Sequence, residues 1–276
     1  TGHGAWLLEA EGDEFCLRFN QLNALTWRMP ITVAWDNFAR LYTVSDQATR
    51  PEDTNLPIRI AIARRERLFR YRRGVGHRVR KLAGKYFLDR MTFADGDVVI
   101  DCGANVGEVG LYVRARADVR AIAVEPAETE ATACDANLFD GRGETHRQAL
   151  WHREGELTFY DSNASGGSSL IPPAEQHAGT TIINATTLEK LISEAKVERI
   201  KLLKIDGEGA EPEILEGGRA ILSQVENCAV DCGPERGVRQ DHVIPQVVNL
   251  MTGAGFEAVD VNLERQIFWF RNLALI

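Results

Sequence analysis

The feature that most constrains this chain is the run Val98-Val99-Ile100-Asp101-Cys102-Gly103-Ala104-Asn105-Val106-Gly107. Three β-branched residues form a strand that is apolar on both faces. It ends in a tight glycine-containing turn, and a helix follows through Glu108 to Ala115. A strand buried on both faces demands a parallel sheet covered by helices. The chain beyond Asp95 supplies one, because short β-branched runs alternate there with helical stretches. The runs are Val119 to Val124, Thr145 to Leu150, Ile200 to Ile205, Asn227 to Asp231, Phe256 to Val261 and Gln266 to Phe270. Only a short turn separates the last two, so they are expected to pair antiparallel. The fold expected is α/β: a mostly parallel, Rossmann-like seven-stranded sheet with an antiparallel C-terminal strand. Trp151 to Tyr160, followed by the Gly/Ser/Pro-rich stretch Asp161 to Thr180, interrupts the alternation and reads as an inserted hairpin with a loop able to act as a lid.

Residues 1–94 lack that alternation and are expected to form a mainly helical appendage, with the catalytic domain spanning 95–276. Trp6-Leu7-Leu8 and Phe15-Cys16-Leu17 flank a Glu-Gly-Asp-Glu turn and read as a hairpin. Ile58 to Leu88 carries apolar residues at helical steps, and Gly74-Val75-Gly76 divides it into two helices. This stretch is basic (Arg64, Arg65, Arg67, Arg70, Arg72, Arg73, Arg78, Arg80, Lys81, Lys85) although the net charge is −8. Such a stripe either meets an anionic partner or pairs with the acidic remainder. The five cysteines are an odd number without metal-ligand spacing, so free thiols in a reducing compartment are expected. No apolar run approaches the roughly 18 residues of a membrane span. The start shows no signal pattern, and the expected location is cytoplasmic.

The glycine turn reads D-x-G-x-N-x-G rather than the G-x-G-x-x-G of dinucleotide proteins. An acid two positions before the first glycine repels a pyrophosphate but suits an ammonium, which favours S-adenosylmethionine over NAD. Gly103 and Gly107 are expected to let backbone approach that ligand, together with Ala104 and Asn105. Glu125, followed by Pro126, ends the second strand about twenty residues later and fits a grip on ribose hydroxyls. Gln148 and Ala149, in the third run, fall beside the adenine. The fourth run delivers Lys204, Asp206, Glu208 and Glu211 to the same sheet edge.

These segments, with Gly167-Ser168-Ser169-Leu170 and Lys204-Ile205-Asp206-Gly207-Glu208-Gly209-Ala210-Glu211, resemble the FkbM family of methyltransferases over roughly Asp95 to Arg271. The resemblance implies S-adenosylmethionine-dependent O-methylation of hydroxyls on sugars, glycans or polyketide-derived natural products. It also raises Ser168 and Ser169 as cofactor or substrate contacts, with Glu211 beside the substrate. Gly207 stands where the family often has Val. An alcohol needs help losing its proton. Asp206 or Glu208 can act as base, with Lys204 alongside, and His177 in the loop is a further candidate. A carboxylate pair can equally hold Mg²⁺. The acceptor expected is a small molecule or glycan, open to being anionic, and a dimer is compatible with the appendage. The competing readings are N-methylation of RNA or protein, which the arginines favour, and a non-catalytic module keeping the fold. The Asn/Asp-Pro-Pro-aromatic motif common in exocyclic amine methylation is absent from the sequence.

Overall fold

The computed structural model describes residues 7, 10–48, 51–161, 168–172 and 179–275. Its first full element is helix α1 (Gly12–Leu22), which buries Phe15, Cys16, Phe19 and Leu22. That spacing is helical, so Phe15 to Leu17 belong to a helix and not to the expected hairpin, whose Trp6 and Leu8 lie outside the described residues. Three antiparallel strands follow: β1 (Ile31–Asp36), β2 (Leu41–Asp46) and β3 (Arg59–Ile62). Ile31 and Val33 on β1, and Ile60 and Ile62 on β3, alternate inward. The N-terminal region therefore adds a three-stranded antiparallel sheet to its helices, and Ile58 to Ile62 is not helix. A 3-10 helix (Arg65–Tyr71) and α2 (Val75–Lys85) complete it. They are separated at Gly74, whose φ of +106° is open to glycine but not to L side chains.

The remainder runs β4 (Val98–Cys102), α3 (Glu108–Arg114), β5 (Arg120–Val124), α4 (Glu128–Leu138), β6 (Ala149–Leu150), β7 (Gly155–Asp161), β8 (Gly179–Thr186), α5 (Leu188–Ala195) and β9 (Ile200–Ile205). It finishes with α6 (Glu211–Glu216), β10 (Val225–Asp231), α7 (Ile244–Gly253), β11 (Phe256–Asn262) and β12 (Ile267–Asn272). The main sheet has the order β11-β12-β10-β9-β4-β5. β5, β4, β9 and β10 are parallel, while β12 is antiparallel to both its neighbours. Among the described residues this is a mixed α/β sheet of six strands, not seven.

The missing strand has a physical reason. The Thr145 to Leu150 run touches β5 only through a bridge between His146 and Val124. Its end, Ala149–Leu150, pairs instead with β8. β8 in turn pairs along its length with β7, so the inserted hairpin captures the edge that would have extended the main sheet.

One apolar cluster joins the N-terminal region (Phe19, Val44, Ile62, Tyr86) to the main sheet (Val99, Leu202, Trp269). A second fills the sheet's other face around Ile100, Leu203 and Val230. All five cysteines are free and buried. Among the described residues no helix is long and apolar enough to cross a membrane.

A buried polar pin reinforces the first cluster. Glu108, at the start of α3, is 6% exposed. It accepts from Arg78 Nε at 2.7 Å, from a second Arg78 nitrogen at 2.9 Å and from the Tyr71 hydroxyl at 2.9 Å. Burial alone would raise its pKa, but Arg78 and the hydrogen bonds hold it below the ordinary range. We expect Arg78→Ala to cost about 3–5 kcal/mol at neutral pH, because it strands a buried carboxylate. The double variant Arg78→Met with Glu108→Met should recover most of that loss. The pin is present above the ordinary glutamate pKa and is lost as pH falls through the depressed one, so the Arg78→Ala penalty should shrink in acid. Urea unfolding of the three proteins between pH 3 and 7 checks both statements.

Candidate active site

The turn after β4 is fixed from its neighbour β9. Lys204, 3% exposed, places its Nζ 2.9 Å from Asp101 Oδ1 and donates to the carbonyls of Cys102 (3.1 Å) and Gly103 (2.8 Å). The Asp206 N–H donates to the Cys102 carbonyl at 3.1 Å. Burial disfavours the ammonium of Lys204, but Asp101 and Asp206 outweigh it and hold its pKa above the usual lysine range. Asp101 is thus neutralised from within the chain, and the charge expected to face an ammonium is already matched. Gly103, at φ +73°, is required because a Cβ there would stand 2.1 Å from the Asp206 carbonyl. A Cβ on Gly107, at φ +84°, would stand 2.9 Å from Leu138. Both glycines are required by close protein contacts; Gly103 also lines the cleft, whereas Gly107 does not.

The turn opens on a cleft lined by Asp101, Gly103, Ala104 and Asn105, then by Glu125 and Pro126, with Gln148 and Ala149 beyond. Glu125 is 7% exposed. Its two oxygens accept from Asn105 N (2.8 Å) and Ala127 N (3.0 Å). Burial pushes its pKa up to about 7, only partly offset by those two N–H groups. One N–H on each oxygen leaves acceptor capacity on both for a pair of hydroxyls.

On the β9 side the cleft is acidic. Asp206 accepts from the buried Tyr86 hydroxyl and lies 3.9 Å from Lys85 Nζ, which also pairs with Asp231 at 3.1 Å. Burial works against its charge, but Lys204, Lys85 and Tyr86 hold its pKa below the ordinary range. Glu208 also lines the cleft. Burial, then Asp206, Glu235 and Glu211, push its pKa well above the ordinary value. Glu211 does not line the cleft. One of its oxygens accepts from Gly207 N (2.8 Å) and Gly209 N (3.2 Å), closing the turn, and burial raises its pKa to about 8. Oxygens of Asp206, Glu211 and Glu235 lie within 4.8 Å of one another, a spacing open to a divalent cation. Lys85 already brings a cation to Asp206, so the fit to Mg²⁺ is poor, and Glu208 is not among the three.

Ser168 and Ser169 both line the cleft, and Ser169 Oγ donates to the Glu208 carbonyl at 2.8 Å. His177 lies outside the described residues. The basic stretch is largely paired: Arg64 and Arg67 with Glu130, Arg78 with Glu108, Arg80 with Asp53. Sequence reasoning missed Arg67, Arg78, Lys85, Tyr86 and Arg265 as cleft residues. The partners of Lys85 and Tyr86 lie more than a hundred residues away, and no local pattern marks them.

Residues 101–257 match the methyltransferase FkbM domain, over half of the 276 residues, and the chain belongs to this methyltransferase family. It is 26% identical over 144 residues to "2-O-methyltransferase NoeI" of Sinorhizobium fredii, covering 46% of this chain and 59% of that protein. The structure of methyltransferase FkbM from Methylobacillus flagellatus aligns at a TM-score of 0.44 and 14% identity, over 66% of this chain and 44% of that one. A putative RNA methyltransferase from Pyrococcus horikoshii aligns at 0.38 and 15%, over 71% and 85%. These scores are too low to equate the folds. The chain spans less than two thirds of the curated relative and of the Methylobacillus structure.

S-adenosylmethionine is the usual methyl donor of such a family, and the cleft fits it. Glu125 lines it with two oxygens that keep acceptor capacity and, among the described residues, form no ion pair. The raised carboxyls carry a stability consequence. Between about pH 4.5 and 7–8 the folded chain keeps protons on Glu125 and Glu211 that the unfolded chain has released. Stability therefore falls as pH rises through that window. Glu211→Gln keeps the oxygen that accepts from Gly207 and Gly209. It should raise stability at pH 8 by on the order of 1 kcal/mol and leave it unchanged at pH 4. Thermal melts at the two pH values check this.

Proposed function

We propose that the chain is an S-adenosylmethionine-dependent O-methyltransferase acting on a hydroxyl of a sugar, glycan or natural product. The observation that carries the reading is Glu208, a carboxyl on the cleft whose pKa is raised well above ordinary and which borders the acid pole of the site. A carboxylate with a raised pKa takes up a proton more readily than an ordinary one, which suits a general base. Asp206 is a poor base, because Tyr86 and Lys85 occupy its oxygens and its pKa is depressed. The name of the Sinorhizobium relative, a 2-O-methyltransferase, agrees with a hydroxyl acceptor.

When bound, the cofactor supplies an electrophilic methyl on a sulfonium. Glu125 would accept hydrogen bonds from the ribose hydroxyls, with its orientation fixed by Asn105 and Ala127. Gln148 and Ala149, which line the cleft, would border the adenine, and Ser168 and Ser169 would lie beside the acceptor. Glu208 would take the acceptor's hydroxyl proton onto a carboxylate oxygen, which makes the alcohol oxygen nucleophilic. Lys204 holds the turn so that both ends of the cleft keep their spacing. No step is assigned to a metal.

Glu208 must shed its proton to act, so the wild-type rate should climb with pH through its raised pKa. In Glu208→Gln that rising limb should vanish and kcat should fall by roughly 10²–10⁴-fold. Transfer of a labelled methyl to a panel of hydroxylated acceptors between pH 5 and 9 measures both. An unchanged kcat in Glu208→Gln removes Glu208 as the base. Label appearing only on amines removes O-methylation.

A further inference from the structure

Glu125 is oriented by backbone, and that backbone is held from the N-terminal region. Glu125 Oε2 accepts from the Asn105 N–H at 2.8 Å. Asn105 sits at φ +54°, a left-handed conformation that a Cβ disfavours and that Asn tolerates better than most residues. What its side chain touches therefore decides how firmly that N–H is aimed. Arg67, from the 3-10 helix Arg65–Tyr71, is 5% exposed and donates from Nη1 to Asn105 Oδ1.

Helix α4 keeps Arg67 in place. Glu130 and Asn137 lie seven residues apart on it and so share a face. Glu130 stands 2.7 Å from Arg64 Nε and 3.7 Å from Arg67 Nη2. Asn137 accepts from the Ala61 N–H of β3 at 2.7 Å and donates to the Ala61 carbonyl at 2.9 Å. It also donates to the Val106 carbonyl at 2.7 Å. Residues 105 and 106 are thus tied to the N-terminal region twice, once by Arg67 and once through Asn137. Burial and the nearby Glu130 raise the Glu125 pKa, and the charge of Arg67 works against both.

We propose that Arg67 is a positioning residue for the cofactor's ribose: it locks the Asn105 side chain and, through Asn105, keeps the Glu125 carboxylate aimed at the two hydroxyls. Arg67 lies outside the family-matched residues 101–257, so the N-terminal region belongs to the cofactor site. This inference rests on the cofactor reading above.

Two ligands that differ only in the ribose test it: S-adenosylhomocysteine and its 2′,3′-dideoxy analogue. Calorimetry at pH 8, above the raised pKa of Glu125, gives both affinities. The wild-type chain should prefer the ribose by roughly tenfold to a hundredfold, the worth of hydrogen bonds to a charged group. Glu125→Ala should abolish that preference. Arg67→Met should lose most of it while binding the dideoxy analogue as wild type does, since Glu130 keeps Arg64 as its partner. Arg67→Lys should recover part of the loss, because it keeps the charge without the planar fork. Asn105→Gly keeps the positive φ and the Arg67–Glu130 pair but removes the acceptor of Arg67. It should lose the preference as well, which decides the matter even where Arg67→Met fails to fold. Equal weakening of both ligands in the variants, or an unchanged preference, overturns the proposal and leaves the cofactor reading in place. A wild-type chain that binds neither ligand overturns both.

Discussion

The arrangement depends on a lysine buried between two strand ends. Lys204 on β9 pairs with Asp101 on β4 and holds two carbonyls of the turn that follows. A buried ion pair is no certain gain in stability, but removing one partner from it is costly. Its effect here is positional. It closes the tips of β4 and β9 tightly enough that only glycine fits at 103. It also sets Asp206 and Glu208 beside the turn that leads to Glu125. The same ammonium helps keep Asp206 ionised, while burial and the surrounding acids push Glu208 the other way. Two carboxylates two residues apart thereby acquire different proton affinities, and their division of labour follows from that.

The N-terminal region completes the cleft rather than standing apart from it. It shares an apolar cluster with one face of the main sheet, and its polar ties reach across that boundary. Arg78 and Tyr71 converge on Glu108, Arg67 reaches Asn105, and Tyr86 and Lys85 reach Asp206. Basic residues that looked in sequence like a surface for an anionic partner are mostly spent on these contacts.

The catalytic half was legible because β-branched runs with glycine at their ends obey strong local rules. Val98 to Cys102, Ala121 to Val124 and Ile200 to Ile205 became strands, and the last two strands paired antiparallel as their short turn required. The strand count failed at Thr145 to Leu150, where the choice of partner was not local: β8 competes with β5 for Ala149 and Leu150. The N-terminal hairpin failed for another reason. Leu7 and Phe15 to Leu17 looked like two short apolar runs, while the decisive spacing from Phe15 to Phe19 and Leu22 is helical. At the site, the motif residues at the strand ends were readable, including Glu125 and Glu208. Their charge states were not, because those come from Lys85, Tyr86 and Lys204 through contacts across the fold.

The most direct test of the account is a calorimetric titration of the purified chain with S-adenosylmethionine and, separately, with NAD, using Glu125→Ala as the control. The account predicts micromolar binding of S-adenosylmethionine, no binding of NAD, and loss of the signal in the variant. A folded chain that binds NAD, or that ignores S-adenosylmethionine, would contradict it.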